Sequence, residues 1–164
     1  MTTPPMLRQL RHDVWATEKL LDRCRALRED QLALTAPGTY GTIRRTLAHI
    51  VRADEGYLHG FGLIQEPLLE VTDAVTLDEI GTRLARVREA VARLFARRDL
   101  DFDRRMRDER RKTDLDPWVL VTQFAHHGSD HRSQINTILS VHGLEAPDLD
   151  VWAYADEEHA VVRS

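Results

Sequence analysis

Apolar residues recur along this chain at steps of three and four, and no stretch alternates residue by residue as a strand would. Four long segments carry the helical period. The first starts at Pro5, a residue suited to a first helical position, and runs to about Arg28. At about 100° per residue, its Met6, Leu10, Val14, Thr17, Leu21 and Cys24 share one face. A second helix is predicted from about Thr42 to Phe61, with Ile43, Leu47, Ile50, Tyr57, Leu58 and Phe61 as its apolar face. The third opens at Thr76-Leu-Asp-Glu79, the pattern of a capping box. It continues to about Arg98 and aligns Ile80, Leu84, Val87, Val91 and Leu94. The fourth opens at Asp116-Pro117, a cap followed by a first-turn proline, and closes near His142-Gly143. Glycine there can take the left-handed cap. The tail DLDVWAYADEEHA predicts a fifth, shorter helix.

These elements define an all-α chain, a four-helix bundle expected to occupy residues 1–164 as a single domain. The loop REDQLALTAPGTYG, broken by proline and glycine, joins the first two helices. Two further connections, about residues 62–75 and 99–115, exceed the 2–8 residues of ordinary bundle links. Long crossovers of this kind let a helix run parallel to its predecessor, so an up-down-down-up order fits as well as simple up-and-down. They can also cover a site.

Composition narrows the class. Apolar residues make up 42% and charged residues 30%, an ordinary globular balance, and a net charge of −4 does not nominate nucleic acid. The arginine-dense stretch from Arg83 to Lys112 holds 12 basic residues, but six acidic ones are interleaved, the pattern of a solvated face. No apolar run approaches the roughly 20 residues of a membrane span, and MTTPPMLRQLRHDVW has no secretory apolar stretch. The single cysteine, Cys24, suits a reducing compartment. A cytoplasmic location is expected.

The chemistry resides in the histidines. Along the fourth helix, Leu120, Phe124, His127, His131, Ile135 and Ile138 form one line. Two histidines four apart bring their rings within reach of one ion, and burying both among Phe and Ile needs a polar partner. A metal or ordinary hydrogen bonds would each serve. His49 on the second helix lies well round from the apolar face, among the small residues Thr42, Thr46, Ala53, Gly56 and Gly60. Such a stripe admits a close neighbour or leaves space for an ion and substrate; alternatively, His49 is an exposed residue on a dimer-forming or solvated face. His126 points about 140° away from His131. His12 and His59 fall on polar sides, His142 at a helix end and His159 in the tail. Cys24 reads as core, a thiolate ligand being the alternative.

LAHIVRADEGYL in the second helix, followed by HHGSDHRSQI in the fourth, resembles the DinB/YfiT-like family of metal-dependent enzymes. That family carries a histidine on its second helix and an H-x-x-x-H-R-G-Q stretch on its fourth. The resemblance spans nearly the whole chain and assigns the ligands to His49, His127 and His131. Arg132 and Gln134 match as well; Ser133 stands where the family usually has glycine, which touches the local helix packing and not the ligands. The resemblance implies a four-helix bundle, one zinc or nickel ion, and a homodimer. It does not imply one reaction, since relatives include thiol transferases or isomerases and hydrolases.

Three neutral histidines leave an ion its full charge and an open position, the pattern of a catalytic metal. Such an ion lowers the pKa of bound water to about 7 or holds a thiol as thiolate. The expected function is therefore a metal-dependent transferase using a low-molecular-weight thiol, or a hydrolase, acting on a small molecule. The alternative is a non-enzymatic, metal-binding stress-response dimer. Asp54, Glu55 and Asp130 are candidate bases or acceptors for a ligand ring, with a salt bridge to a neighbouring arginine as the other reading of Asp54. Arg132 either attracts an anionic substrate or pairs with a carboxylate across the bundle.

Overall fold

The structure, a computed structural model, describes residues 5–97 and 99–159. Residues 1–4, Arg98 and residues 160–164, which the sequence reading assigned to the domain, to the end of the third helix and to the tail, lie outside them.

Pro5 opens α1 (Pro5–Arg25), which buries Leu7, Leu10, Val14, Thr17, Leu20, Leu21 and Cys24. Met6, expected on this face, is 37% exposed and Leu7 replaces it. Neighbours pack against α1 from two sides, so its apolar stripe is wider than a single line. The helix stops at Arg25 rather than Arg28 because Arg28 turns extended and caps a short α2 (Glu29–Leu32), which lies inside the expected loop. The second long helix is α3 (Ile43–Gly60), capped by Thr42, whose side chain accepts from Arg45 N. Thr76 caps α4 (Leu77–Ala96) by accepting from Glu79 N, the expected half of the capping box. The last long helix is α5 (Pro117–Val141). Asp116 stands at its cap position and its backbone carbonyl accepts from Val119 N, but its side chain makes no capping bond, contrary to expectation; its carboxylate lies 3.6 Å from Arg105. Gly143 takes the expected left-handed conformation at φ 69°. The tail forms α6 (Val151–Glu157), capped by Asp150 and tied to α1 by tilted ring contacts of Tyr154 with His12 and Trp15.

Cross-helix contacts give the topology. Glu18 of α1 meets Arg88 of α4 while Arg11 lies over Phe95, so these helices are antiparallel. Asp13 meets Arg132, and Arg23 donates to Glu145 O just beyond α5, so α1 and α5 are parallel. On the other side, α3 runs parallel to α4, with Arg44 against Val75 and Phe61 against Arg97. The order is up-down-down-up. Around the bundle the sequence is α1–α4–α3–α5, so consecutive α1 and α3 stand diagonally, as do α4 and α5. This is the work of the long connections. A continuous apolar core fills the square, including Leu20, Leu47, Ile50, Val87, Phe124 and Ile135. No helix among the described residues is long and apolar enough to cross a membrane.

The connection between α4 and α5 contains what the sequence reading missed. Strands β1 (Met106–Asp108) and β2 (Thr113–Leu115) pair antiparallel, with Arg107 opposite Asp114. The turn passes through Lys112 at φ 52°. This hairpin lies along the Gly56–Gly60 stripe of α3. A Cβ on Gly60 would stand 3.3 Å from Asp108 Oδ2 and 2.7 Å from Leu120 Cδ1. The small residues therefore seat both the hairpin and α5.

Candidate metal centre

Antiparallel packing of α3 on α5 sets His49 opposite the turn that carries His127 and His131. The three half-buried rings converge, with one nitrogen from each lying within 4.8 Å of the other two. Nε2 of His127 is 3.0 Å from Nε2 of His49. Two imidazole nitrogens on one tetrahedral ion stand roughly 3.3 Å apart, so the donor spacing fits a zinc-like cation. His131 meets His49 edge-on, its ring centroid 4.8 Å away, and meets His127 at 4.5 Å.

Electrostatics favour the ligand form. Burial lowers the pKa of His127 to about 4, with help from His131 and His49. Burial likewise lowers His49, reinforced by His131, Arg45 and Arg52. Both rings are neutral near pH 7, each with a basic nitrogen free to bind a cation. His131 is oriented by a network around Gln134. The backbone N–H of Tyr40 donates to Gln134 Oε1 at 2.9 Å, which fixes the orientation of the amide. The same Oε1 accepts from His131 Nδ1 at 3.1 Å, a contact that in the neutral ring selects the tautomer whose Nε2 is the free acceptor. Gln134 Nε2 in turn donates to Asp130 Oδ2.

Tyr40 was not singled out by the sequence reading. Its ring stacks on His49 at 4.1 Å and meets His131 edge-on, roofing the cluster from the loop before α3. An aromatic among loop breakers was the only signal available. On the other side, a cavity of about 320 Å³ opens onto His49 and His127. Arg52, Ala53, Tyr57, Arg110 and Arg111 complete its lining, so the hairpin delivers two arginines to the site.

The candidate helpers separate. Glu55 is fully buried but faces away from the histidines, accepting from Leu69 N and pairing with Arg83 and Arg86. It pins the connection and α4 to α3. Asp130 is exposed, accepts from Gln134, and its charge acts through space on His127. Arg132 is 4% exposed and pairs with Asp13 of α1, so it packs across the bundle. The salt bridge considered for Asp54 is not formed. Asp54 is fully buried, neither of its oxygens has a hydrogen-bond partner, and burial and Asp13 push its pKa well above the ordinary value. Burial and the Asp13 charge both disfavour its ionised form.

Among the other histidines, His126 is exposed, as is His159. His142 is exposed and bonds Thr35 O. His59 bonds Ile64 O and is half-buried. His12, expected to be solvated, is half-buried, with Nε2 2.9 Å from Leu149 O, because the tail folds back over α1. Cys24 is fully buried and its thiol is pushed up to about 12 by burial, so the structure places it in the core and outside the histidine group.

An up-down-down-up bundle with three histidines facing one point between antiparallel helices defines a class of helical proteins built around a metal-competent site. The sequence matches the DinB family over residues 1–160, and the chain belongs to that family. Two solved structures are similar. A DinB-like protein from Bacillus cereus ATCC 10987 shares 25% identity at a TM-score of 0.66, covering 87% of this chain and 94% of its own. YfiT from Bacillus subtilis, described as a probable metal-dependent hydrolase with an unusual four-helix bundle topology, shares 15% identity at a TM-score of 0.58. That match covers 88% of this chain and 91% of YfiT and speaks for the fold. No protein of curated function matches the sequence.

Proposed function

We propose that this chain, as one DinB-fold domain, holds a divalent transition-metal ion, zinc or nickel, on His49, His127 and His131 and acts on a small molecule as a metal-dependent hydrolase. The observation that carries the reading is the convergence of three imidazoles beside an open cavity. Two of these rings are held neutral by burial. A bound ion would supply Lewis acidity and a water whose pKa falls to about 7. The chain's own residues orient and enclose: Gln134 fixes the His131 tautomer, and Tyr40 covers one side. The cavity favours this reading over a non-enzymatic stress-response metal binder, because a storage or structural site would be closed by protein ligands. YfiT's description as a metal-dependent hydrolase points the same way.

Transfer of a low-molecular-weight thiol is the second reading. The site's own elements carry no cysteine and the buried Cys24 is held as the thiol, so the sulfur would come from a cosubstrate. A homodimer is proposed with it, for which the exposed Val151 and Trp152 of α6 supply apolar surface, and a cytoplasmic setting, for which the lone buried thiol argues.

Cobalt substitution tests the reading. The absorption spectrum of the cobalt form should change with pH near neutrality as a bound water titrates, and thiols should act as inhibitors. A sulfur-to-metal band with turnover of a thiol favours the second reading. A spectrum indifferent to pH and to every added ligand would mean a closed site and end the enzyme proposal.

A further inference from the structure

Two arginines meet beside the histidines with no carboxylate to hold them together. Arg52 leaves α3 one turn after His49, and Arg110 descends from the hairpin tip. Both guanidinium groups crowd the space above Gly56, where a Cβ would stand 3.3 Å from Arg52 Nη1 and 3.0 Å from Arg110 Nη1. Neither guanidinium group has an ion pair or hydrogen bond among the described residues, although the Arg110 backbone bonds Asp108. Arg111 differs: it is engaged with Asp108 and lies 5.4 Å above the Tyr57 ring. Glu55 and Glu66 act on Arg52 only through space, and the fully buried Glu55 is committed to Arg83, Arg86 and Leu69 N.

Like charges side by side repel, and here part of that charge is also desolvated. Burial depresses the pKa of Arg52, and Arg110 and Arg111 depress it further. The rest of the protein offers ready ways to relieve such a contact. Many other arginines among the described residues pair with carboxylates or backbone carbonyls, as Arg83, Arg88 and Arg97 do. The hairpin is instead seated by Asp108 on Gly60 so that its tip carries Arg110 against Arg52. An arrangement of this kind is relieved by an anion placed between the two forks, which guanidinium groups bind with two parallel hydrogen bonds.

We infer that the cavity between α3 and the hairpin is an oxyanion clamp, in which Arg52 and Arg110 grip a carboxylate or phosphate of the substrate while the remainder of the molecule faces His49 and His127. The substrate is therefore a small anionic molecule whose reacting group lies next to its charged group. The clamp deepens the metal reading and rests on it for what happens at the reacting end. Gly56 belongs to the clamp too, since a side chain there would fill the space the anion enters.

Calorimetry on the full-length, metal-free protein tests this with two probes, inorganic phosphate and glutarate. At least one should bind saturably, and the preferred probe tells phosphate from carboxylate as the substrate's anionic group. Arg52→Gln and Arg110→Gln should each weaken binding roughly ten-fold or more. Arg110→Lys, which keeps charge but loses the fork, should fall between, and Arg88→Gln on the far side of α4 should bind as the wild type does. Failure of both probes to bind saturably, or wild-type affinity in both glutamine variants, would overturn the clamp. A zinc titration in parallel separates the two readings. Zinc binding without anion binding removes the clamp alone, whereas anion binding through Arg52 and Arg110 without zinc binding keeps the clamp and removes the metal centre.

Discussion

Gln134 Oε1 accepts a hydrogen bond from His131 Nδ1 at 3.1 Å, and this single contact decides which nitrogen of His131 is free. The amide cannot rotate to offer its NH₂ instead, because Tyr40 N–H occupies the same oxygen. Gln134→Ala should therefore weaken zinc binding roughly 10–100-fold, the usual effect of removing a group that orients a ligand. The half-buried, helical position of Gln134 means that folding should survive. Competition against a chromophoric chelator gives the affinity, and an unchanged dissociation constant would remove Gln134 from the site.

Metal should also stabilise the fold. A ligand present at about 100 times its dissociation constant adds about 2.7 kcal/mol. For a chain of this size that raises Tm by several degrees. His49→Ala, His127→Ala and His131→Ala should each abolish the rise produced by zinc or nickel. His12→Ala should lower the starting Tm, because His12 bonds Leu149 O and holds the tail, yet leave the metal increment intact. An equal increment in all four variants would refute the ligand assignment.

The bundle and half of the site were legible in the chain before any coordinates. His127 and His131 share a helical face with Phe124 and Ile135, so spacing alone brings them together. His49 was ambiguous because the site lies at the edge of the core, off the apolar line of α3, where periodicity carries no signal. Tyr40 and Arg110 were not legible at all. Each arrives on a connection whose path depends on distant packing, Tyr40 through Gln134 and Arg110 through Asp108 on Gly60. The hairpin escaped notice because its strands are three residues each, polar, and lack alternation. The salt bridge expected for Asp54 fails for a related reason: Arg132, whose charge acts on it, is paired with Asp13, 119 residues away along the chain.

Asp54 gives a pH prediction. Burial, then Asp13, raises its pKa in the folded state above the ordinary value, so the folded protein keeps a proton that the unfolded chain loses. This group favours folding fully below the unfolded pKa of about 3.9, and the contribution is lost as pH rises towards the folded pKa. Asp54→Asn removes the ionisation. Its Tm relative to the wild type should therefore be higher at pH 8 than at pH 4. A difference independent of pH would show that Asp54 titrates normally.

The Asp13–Arg132 pair separates stability from function in the HHGSDHRSQI stretch. Both side chains are at least 95% buried, and Arg132 donates to the Asp13 carboxylate, to Asp13 O and to Thr17 Oγ1. Gly128 makes the approach of α1 and α5 feasible, since a Cβ there would lie 2.5 Å from Asp13 Oδ2. Removing one partner leaves the other buried without compensation, so Arg132→Met should cost about 3–5 kcal/mol in urea denaturation. Removing both charges should recover most of that loss, because two apolar groups of similar volume carry no desolvation penalty. Asp13→Leu combined with Arg132→Met is thus expected to be far more stable than Arg132→Met alone. Throughout this series zinc affinity should stay within a few-fold of the wild type, since Arg132 turns towards α1 while His131 turns towards α3. If zinc binding collapses in the stable double variant, Arg132 acts on the metal site as well as on the bundle, and its purely structural assignment is wrong.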